Sequence, residues 1–264
     1  FYYEAGTVGE LVKVVEVVKD LGIPYFILGG GSNILVGDLG FRGLVIKNKS
    51  REIKILGYRG EVKSQKSKVK IVLVEADAGV PFNQLVRFTI EEGFGGLEEF
   101  LGLPGTVGGA VIGNAHWQNK KIGDLVVSKK TSGKILVKAI FSLKKEDKET
   151  LWERARQAME YRQATQPVSL PSAGCIFKNI KKSQALRIGT PNFTTSAGFL
   201  IEAAGLKGAK IANVQVSPLH ANFIVNLGGG KAADVLKLMS LAKERVYEKF
   251  GVKLEEEIIK VGDF

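Results

Sequence analysis

The chain has 264 residues, of which 45% are hydrophobic and 25% are charged. These average fractions exclude a disordered chain, a collagen and a disulfide-stapled miniprotein. The 38 basic residues exceed the 27 acidic ones, and the net charge of +11 favours anionic partners without indicating a fold. A single cysteine, Cys175, excludes an intramolecular disulfide and, with only two histidines, a zinc cluster.

Signals for export and membrane insertion are missing from the sequence. No apolar run is long enough to cross a bilayer, and no basic segment followed by an apolar core opens the chain. We therefore expect a cytoplasmic protein in a reducing compartment, without membrane insertion. The chain starts at Phe1 rather than methionine, and we therefore expect an N-terminal segment before it.

The first fifty residues predict a small βαβ-type unit. Thr7 and Glu10 have the spacing of a capping box, and apolar residues at helical spacing predict a helix over residues 8–20 that Gly22 ends. Short apolar runs predict three strands, at Phe1–Glu4, Tyr25–Leu28 and Gly43–Lys47.

A separate, mostly antiparallel β region is predicted after Arg51. Alternating β-branched residues predict strands over Lys68–Ala76, Leu125–Lys129 and Ile135–Leu143. Pro81 in a first turn and Gly93 as a stop predict one helix within this region. The lysine-rich run Lys63–Lys70 is predicted to be a solvated edge or hairpin tip.

A third unit is predicted to follow a helix from Glu149 to about Gln163, because Pro167 and Pro171 then indicate a linker. Its predicted elements are a helix from the cap Ser196 through Ala204, a helix over Ala232–Phe250 that Gly251 ends, and a final strand over Leu254–Val261.

Two glycine-rich loops are candidates for binding a dinucleotide. Gly29–Asn33 presents successive backbone N–H groups, but it does not match G-x-G-x-x-G and no helix is predicted directly after it. The second loop, Gly102–Ala110, leads to Asn114. Either loop alone is more simply a turn. Because a diphosphate with a flat ring system needs close backbone approach from two sides, the pair favours a dinucleotide.

Three further features each have a structural and a catalytic interpretation. Cys175 is either an inert buried residue or, with Lys178 and Asn179 after it, a thiol beside an anionic ligand. A thiol with the usual pKa of about 8.5 can also donate a proton near neutral pH. Glu255–Glu257 are either solvated edge charges or include one carboxylate on the opposite face, and His220 is either structural or catalytic.

Five ordered blocks cover nearly the whole chain: LGGGSNILV, GLPGTVGGAVIGNA, ATQPVSLPSAGCIFKN, GLKGAKIANVQVSPLHANFIVN and FGVKLEEEIIKVG. Together they resemble the UDP-N-acetylenolpyruvoylglucosamine reductases of peptidoglycan synthesis, and the length resembles the shorter subtype of that family. The resemblance implies an α+β fold in three parts. These are a vanillyl-alcohol-oxidase-type FAD-binding domain of two subdomains (residues 1–48 and 49–163), a C-terminal α+β substrate-binding domain (164–250), and a terminal strand returning to the flavin site (251–264).

The resemblance also implies a two-step reaction. NADPH reduces FAD, the flavin N5 passes hydride to C3 of the enolpyruvyl group, and C2 then receives a proton. Cys175 stands where most of the family has a proton-donating serine, and sulfur is expected to keep that role while lowering the pKa of the donor. Glu257 matches the glutamate that assists at the developing enolate.

Further site residues follow from the resemblance alone. Those implied to bind FAD are Gly29, Gly30, Gly31, Ser32, Asn33, Ile34, Leu35, Pro104, Gly105, Thr106, Gly108, Gly109 and Asn114. Those implied to bind or support the UDP-sugar are Gln166, Lys178, Asn179, His220 and Asn222. We expect no metal, no nucleic-acid partner, small-molecule partners limited to NADPH and the UDP-sugar, and a monomer.

Two departures from the family pattern leave an alternative open. The family's Y-R-x-S segment, whose arginine binds the substrate carboxylate, is missing between Gly133 and Lys134, and Tyr161-Arg162 belongs to a different block. The run Asn114–Trp117 reads N-A-H-W instead of N-A-G-A. Either residues are missing from the sequence, or this is a flavin-binding protein of the same fold with a different or absent substrate half reaction. Nucleic-acid binding, suggested by charge alone, lacks a recognition motif.

Overall fold

The structure is a computed structural model that describes residues 1–63 and 68–264, so the tip of the predicted Lys63–Lys70 hairpin lies outside the described residues. The strands are β1 (Tyr2–Ala5), β2 (Tyr25–Leu28), β3 (Ile34–Val36), β4 (Leu44–Asn48), β5 (Ile53–Lys63), β6 (Lys68–Asp77), β7 (Phe94–Gly95), β8 (His116–Trp117), β9 (Lys120–Lys121), β10 (Val126–Ser132), β11 (Ile135–Lys145), β12 (Ser172–Cys175), β13 (Lys210–Ile211), β14 (Val214–Val216), β15 (Phe223–Asn226) and β16 (Ile259–Val261). The α-helices are α1 (Val8–Asp20), α2 (Phe82–Glu91), α3 (Val107–Ile112), α4 (Lys148–Thr165), α5 (Lys182–Ile188), α6 (Ala197–Ala203) and α7 (Ala232–Phe250), and short 3-10 helices lie at Glu98–Phe100, Ile122–Asp124 and Pro191–Phe193.

The chain divides into two compact units. Unit 1 comprises Phe1–Gly30 and Gly43–Arg162, and unit 2 comprises Gly31–Arg42 and Gln163–Phe264. The chain therefore passes from unit 1 to unit 2 within the first glycine loop. The three-part division implied by the family resemblance stays a prediction.

A parallel sheet and α1 form the βαβ part of unit 1. Strands β1 and β2 both pair in parallel with the central β4. The Thr7 hydroxyl accepts a hydrogen bond from the Glu10 N–H, and the Glu10 carboxylate accepts one from the Gly6 N–H. This capping fixes the helix start, and the predicted helix over residues 8–20 is confirmed.

An antiparallel sheet in the order β10-β11-β6-β5 forms the rest of unit 1. The core beside it contains Phe82, Phe100, Phe141 and Leu143, each fully buried. The predicted antiparallel region is confirmed, with its strands longer at their C-terminal ends than the sequence pattern indicates.

Unit 2 is built on the antiparallel sheet β12-β15-β14-β13 and on α6 and α7. The α7 helix has its predicted bounds, and Gly251 follows it with φ +64°. Its first turn is capped from far along the chain, because the Asp38 carboxylate accepts hydrogen bonds of 2.8 and 3.0 Å from the N–H groups of Ala232 and Ala233. The segment after the first glycine loop is thereby fixed to α7.

The predicted strand over Leu254–Val261 is wrong in its first half. Only β16 is a regular strand, and it pairs in parallel with β3. In a continuous strand Glu256 would share a face with Leu254 and Ile258, which are both buried. Instead, Glu256 forms an isolated antiparallel bridge with Phe177, and its carboxylate pairs with Lys243 and Lys260. Among the described residues, no helix has the length and apolarity to cross a membrane.

Candidate active site

The two glycine loops touch each other inside unit 1. A Cβ atom on Gly30 would lie 2.4 Å from the Cα of Gly105, and one on Gly29 would lie 2.7 Å from the Thr106 hydroxyl oxygen. Real Cβ atoms do not approach other atoms this closely, so both positions require glycine. The two glycine loops are therefore in direct contact, and their approach to a dinucleotide stays a prediction.

The second loop is held by the strand and helix beside it. The Gly105 residue has φ +116°, a value that favours glycine. Thr106 caps α3, and the N–H of Gly108 donates to the Ala78 carbonyl at 2.8 Å. A Cβ on Gly108 would also meet the Cβ of Ala78 at 2.9 Å. The loop is thus held in place from both sides, and at Gly105 and Gly109 it has only backbone groups with which to contact a ligand.

A lysine that the sequence analysis missed lies at the first loop. The Lys47 ammonium donates a hydrogen bond to the Gly29 carbonyl, and burial lowers the pKa of Lys47. Lys47 sits at the end of the central strand β4, so its position depends on strand order, which local sequence does not reveal. It brings a positive charge to a glycine loop.

Several of the other predicted FAD-binding residues have contacts that stabilise the fold. Asn33 lies in unit 2, where its Nδ2 donates to the Glu257 carbonyl at 3.2 Å, and Ile34 and Leu35 belong to β3. Asn114 has φ +46° and its Oδ1 accepts from the Gly123 N–H at 3.0 Å, so it shapes its own loop. The remaining ones lie in the two loops themselves: Gly31, Ser32 and Pro104.

Cys175 and Glu257 meet in unit 2. Cys175 ends β12, and the following residues pair with the chain around Glu257: the Glu257 N–H donates to the Ile176 carbonyl at 2.8 Å, and the Lys178 N–H donates to the Glu255 carbonyl at 2.8 Å. This backbone pairing places the Glu257 carboxylate close enough to influence the thiol electrostatically. Two residues that are 82 positions apart in the sequence thus share one cluster.

The Cys175 thiol is strongly biased toward its protonated form. Burial, followed by the nearby Glu257 charge, raises the pKa of Cys175 to about 12, while a hydrogen bond from Asn222 acts in the opposite direction. This pKa lies above the ordinary thiol value, and the expectation that sulfur lowers the pKa of the donor relative to a serine hydroxyl stays a prediction. Lys178 is largely exposed and pairs with Glu255 at 3.7 Å.

The three successive glutamates have different partners. Glu255 pairs with Lys178, and Glu256 pairs with Lys243 at 2.6 Å and with Lys260 at 2.9 Å, which lowers the pKa of Glu256. Glu257 is the one whose charge acts on the thiol. The sequence-based inference that at least one carboxylate faces away from its neighbours stays a prediction.

Asn222 and His220 hold the segment that follows Cys175, through hydrogen bonds to Phe177 and to each other. The buried Asn222 side chain bonds Phe177 twice, accepting from its N–H at 3.0 Å and donating to its carbonyl at 2.7 Å. His220 Nδ1 accepts from the Asn222 N–H at 3.2 Å, and burial lowers the pKa of His220. The imidazole is therefore neutral near pH 7 and stacks edge-on against Phe223.

The other predicted substrate residues are more dispersed. The Asn179 Oδ1 accepts from the Ala197 N–H at 3.1 Å and so joins Ser196 in capping α6. Gln166 is half-buried just after α4. The structure thus brings Cys175, Glu257 and Asn222 together and leaves Asn179 and Gln166 outside that cluster.

The hairpin from β10 to β11 closes without any inserted segment. Ser132 pairs with Ile135, and Gly133 turns the chain with φ +56°. No arginine lies in this turn. The arginine Arg162, which the sequence offers as a substitute, is buried in unit 1 and bonds backbone carbonyls there.

Comparison with known proteins assigns the family. A family model described as "UDP-N-acetylenolpyruvoylglucosamine reductase, C-terminal domain" matches residues 166–261, and one described as "FAD binding domain" matches residues 1–130. The UDP-N-acetylenolpyruvoylglucosamine reductase of Syntrophobacter fumaroxidans is 37% identical over 273 aligned positions that cover 94% of this chain and 74% of that protein. The chain belongs to the UDP-N-acetylenolpyruvoylglucosamine reductase family. The Aquifex aeolicus enzyme of this name is 36% identical and covers 98% of the chain and 87% of its own length.

A solved structure supports the same assignment. The UDP-N-acetylenolpyruvylglucosamine reductase of Thermus caldophilus matches with a TM-score of 0.70 and 29% identity, covering 98% of this chain and 91% of that one. The predicted family, the α+β flavoprotein fold class and FAD as cofactor are confirmed. This family member is an FAD-dependent oxidoreductase.

The relatives contain residues that this reductase lacks. The alignment with the Carboxydothermus hydrogenoformans enzyme runs over 292 positions, whereas the chain has 264 residues, so 28 positions have no counterpart here.

Proposed function

We propose that this protein reduces UDP-N-acetylglucosamine enolpyruvate to UDP-N-acetylmuramate with NADPH as reductant, in peptidoglycan synthesis. Family membership supports the reaction. The single observation that carries the assignment of residues is the protonated Cys175 thiol beside Glu257. Reduction of a carbon–carbon double bond requires one hydride and one proton, and we infer that this half-buried thiol is the proton source.

The residues of unit 1 fit an extended dinucleotide. The contact between Gly30 and Gly105 keeps side chains out of the loops, and the Lys47 ammonium offers a countercharge for a diphosphate. We propose that Gly29, Gly30, Gly105, Thr106, Gly108 and Gly109 hold FAD. When bound, FAD supplies the hydride that it takes from NADPH.

Cys175 is proposed as the proton donor. Its S–H bond breaks as a C–H bond forms at the enolpyruvyl carbon that does not take the hydride, and the thiolate regains a proton from solvent. The negative charge of Glu257 opposes ionisation of the thiol, so the proton stays on sulfur until a strong base develops on the substrate. Glu257 is thereby proposed to act on the donor and, as the family resemblance implies, to stabilise the developing enolate.

The proton-donor role is tested by separating the two half reactions in an anaerobic stopped-flow instrument. With Cys175→Ala, flavin bleaching by NADPH should keep its wild-type rate, whereas recovery on adding the enolpyruvyl UDP-sugar should slow by about 10²- to 10⁴-fold, the usual contribution of a general acid. Cys175→Ser should restore most of the recovery rate. Equal loss in both half reactions for Cys175→Ala would contradict the assignment.

The cofactor site is tested by adding one methyl group to the first glycine loop. Gly30→Ala should abolish FAD retention because its Cβ would overlap Gly105. Gly9→Ala is the matched control: it lies in α1 and would place its Cβ 3.9 Å from its nearest neighbour, an ordinary contact. Retention of FAD by Gly30→Ala with wild-type affinity would refute this cofactor site.

A second candidate function has one observation in its favour. The direct turn at Gly133 leaves no arginine there, as expected for a flavoprotein without this substrate half reaction. The same stopped-flow trace separates the two: bleaching by NADPH without recovery on adding the UDP-sugar would support this second function.

The proposal also covers the substrate contacts, the oligomeric state and the cellular compartment. Gln166, Lys178, Asn179 and His220 are proposed to contact or support the UDP-sugar. The single unpaired cysteine suits a reducing cytoplasm, where we place the protein as a monomer. Light scattering on the purified protein tests the monomer, and titration with UDP tests the four residues by alanine substitution.

A further inference from the structure

Arg162 is a buried cation near the C-terminal end of α4. Only 2% of its surface is exposed. Its Nη1 donates to the Leu101 carbonyl and its Nη2 to the Glu99 carbonyl at 3.4 Å. The guanidinium also lies over the ring of Trp117, 4.0 Å from the centroid. All of these contacts are within unit 1.

The charge of Arg162 is not neutralised by an acid. No carboxylate in the described ranges pairs with it, and its Nε has no acceptor among those residues. Burial alone lowers the pKa of Arg162 to about 10, so the group stays charged at neutral pH. Burying an ion carries a large desolvation penalty, and apolar side chains of similar volume often stabilise a fold as well or better. Filling the core therefore does not explain an arginine at this position.

The contacts of Arg162 converge on the second glycine loop. Leu101, whose carbonyl it bonds, immediately precedes the loop, and a Cβ on Gly102 would lie 3.0 Å from its Nη1. On the other side, Asn83 accepts from the Gly102 N–H at 2.6 Å and donates to the Leu103 carbonyl at 3.0 Å. Arg162 and Asn83 therefore both bond the segment of residues 101–103, which leads directly to Gly105.

We propose that Arg162 is a positioning residue for the FAD loop: by fixing Leu101 and Gly102, it sets the approach of Gly105 to Gly30 and hence the affinity for FAD. The inference rests on the proposed cofactor site. Arg162 acts through the loop, without touching the cofactor. A planar guanidinium suits this role because it reaches two carbonyls at once while stacking on an aromatic ring.

The test is a titration of apo-protein with FAD, followed by quenching of flavin fluorescence, alongside thermal unfolding of the same apo-protein. Arg162→Met removes the charge and both hydrogen bonds and keeps an unbranched apolar side chain. We expect the dissociation constant of the folded protein for FAD to rise at least tenfold, in addition to any decrease in the unfolding midpoint caused by the two carbonyls that lose their partner. Arg162→Lys keeps the charge and one donor group and should recover part of the affinity.

Two further variants separate positioning from general damage. Arg156→Met changes an exposed arginine of the same helix, which pairs with Glu153, and should leave FAD affinity unchanged. Asn83→Ala loosens the same loop from its other side, so its effect combined with Arg162→Met should be smaller than the product of the two single effects. A merely structural Arg162 would lower the unfolding midpoint and leave the affinity of the folded protein intact.

The outcomes distinguish this inference from the cofactor site itself. If Gly30→Ala binds FAD as tightly as wild type, the cofactor site is wrong. If Gly30→Ala loses FAD while Arg162→Met keeps the wild-type dissociation constant, the site stands and the positioning role is overturned. Should Arg162→Met not fold, Arg162→Lys decides: an FAD dissociation constant within twofold of wild type overturns the role, and a larger increase supports it.

Discussion

The proton donor predicts an unusual pH profile for the substrate half reaction. A donor works only while it holds its proton, so the rate should follow the protonated fraction of Cys175. With the pKa of Cys175 raised to about 12 from an ordinary thiol value of 9.0, deprotonation should not limit the rate at any pH normally accessible to the enzyme. The pKa of an acid rises when the folded protein favours its neutral form, and the neutral form of a thiol is the protonated one.

The size of the effect follows from the two pKa values. At pH 10 a thiol of pKa 9.0 would be about 9% protonated, whereas one of pKa 12 would be about 99% protonated. The recovery rate of pre-reduced enzyme should therefore change by less than about twofold between pH 7.5 and pH 10. An unperturbed thiol would lose roughly tenfold over the same interval.

The assay mixes chemically reduced enzyme with the enolpyruvyl UDP-sugar at each pH and follows flavin absorbance. Cys175→Ser serves as a control, since a hydroxyl does not ionise in this range and any remaining slope must come from other groups. Circular dichroism at each pH confirms that the enzyme stays folded. A wild-type rate that falls tenfold per pH unit above pH 9, where the Cys175→Ser rate is flat, would refute the raised pKa as the basis of the mechanism.

Four further changes test other contacts. Glu257→Gln should lower the pKa of Cys175 and speed alkylation of the thiol by iodoacetamide at pH 9 by up to about tenfold, one pKa unit, and an unchanged rate would contradict the electrostatic contact. Asn222→Ala should cost about 2–4 kcal/mol in urea unfolding, because two buried backbone groups lose their partners. Lys138→Met should cost about 3 kcal/mol in the same assay, since it leaves two buried carboxylates without their shared cation. Hydrogen bonds from the first turn of α7 lower the pKa of Asp38, so its advantage over Asp38→Asn should be present at pH 7 and vanish as pH falls below 3.8, measured by thermal unfolding.

Local signals were sufficient for most helices and for the parallel strands. The start of α1 depends on Thr7 and Glu10, three residues apart, and the end of α7 on the adjacent Gly251. Helix starts and ends of this kind depend on residues that are close together in the sequence, so they can be predicted from a single sequence. Both glycine-rich loops are also evident in the sequence, whereas the contact between Gly30 and Gly105 depends on the fold and was not predicted.

The site chemistry depended on residues distant in sequence. The raised pKa of Cys175 comes from burial and from Glu257, and neither is visible in the residues around the cysteine. The predicted strand over Leu254–Val261 failed in its first half because that half pairs only through an isolated bridge between Glu256 and Phe177. Local β pattern does not reveal which distant segment a residue pairs with.

The environment of Cys175 offsets the chemical consequence of having sulfur where most of the family has oxygen. An ordinary thiol ionises far more readily than a hydroxyl and would begin to lose its proton in mildly alkaline solution. Burial and the Glu257 carboxylate both oppose that loss. The proton therefore stays on sulfur until a strong base develops on the substrate, and loss of the Glu257 charge should weaken that restraint.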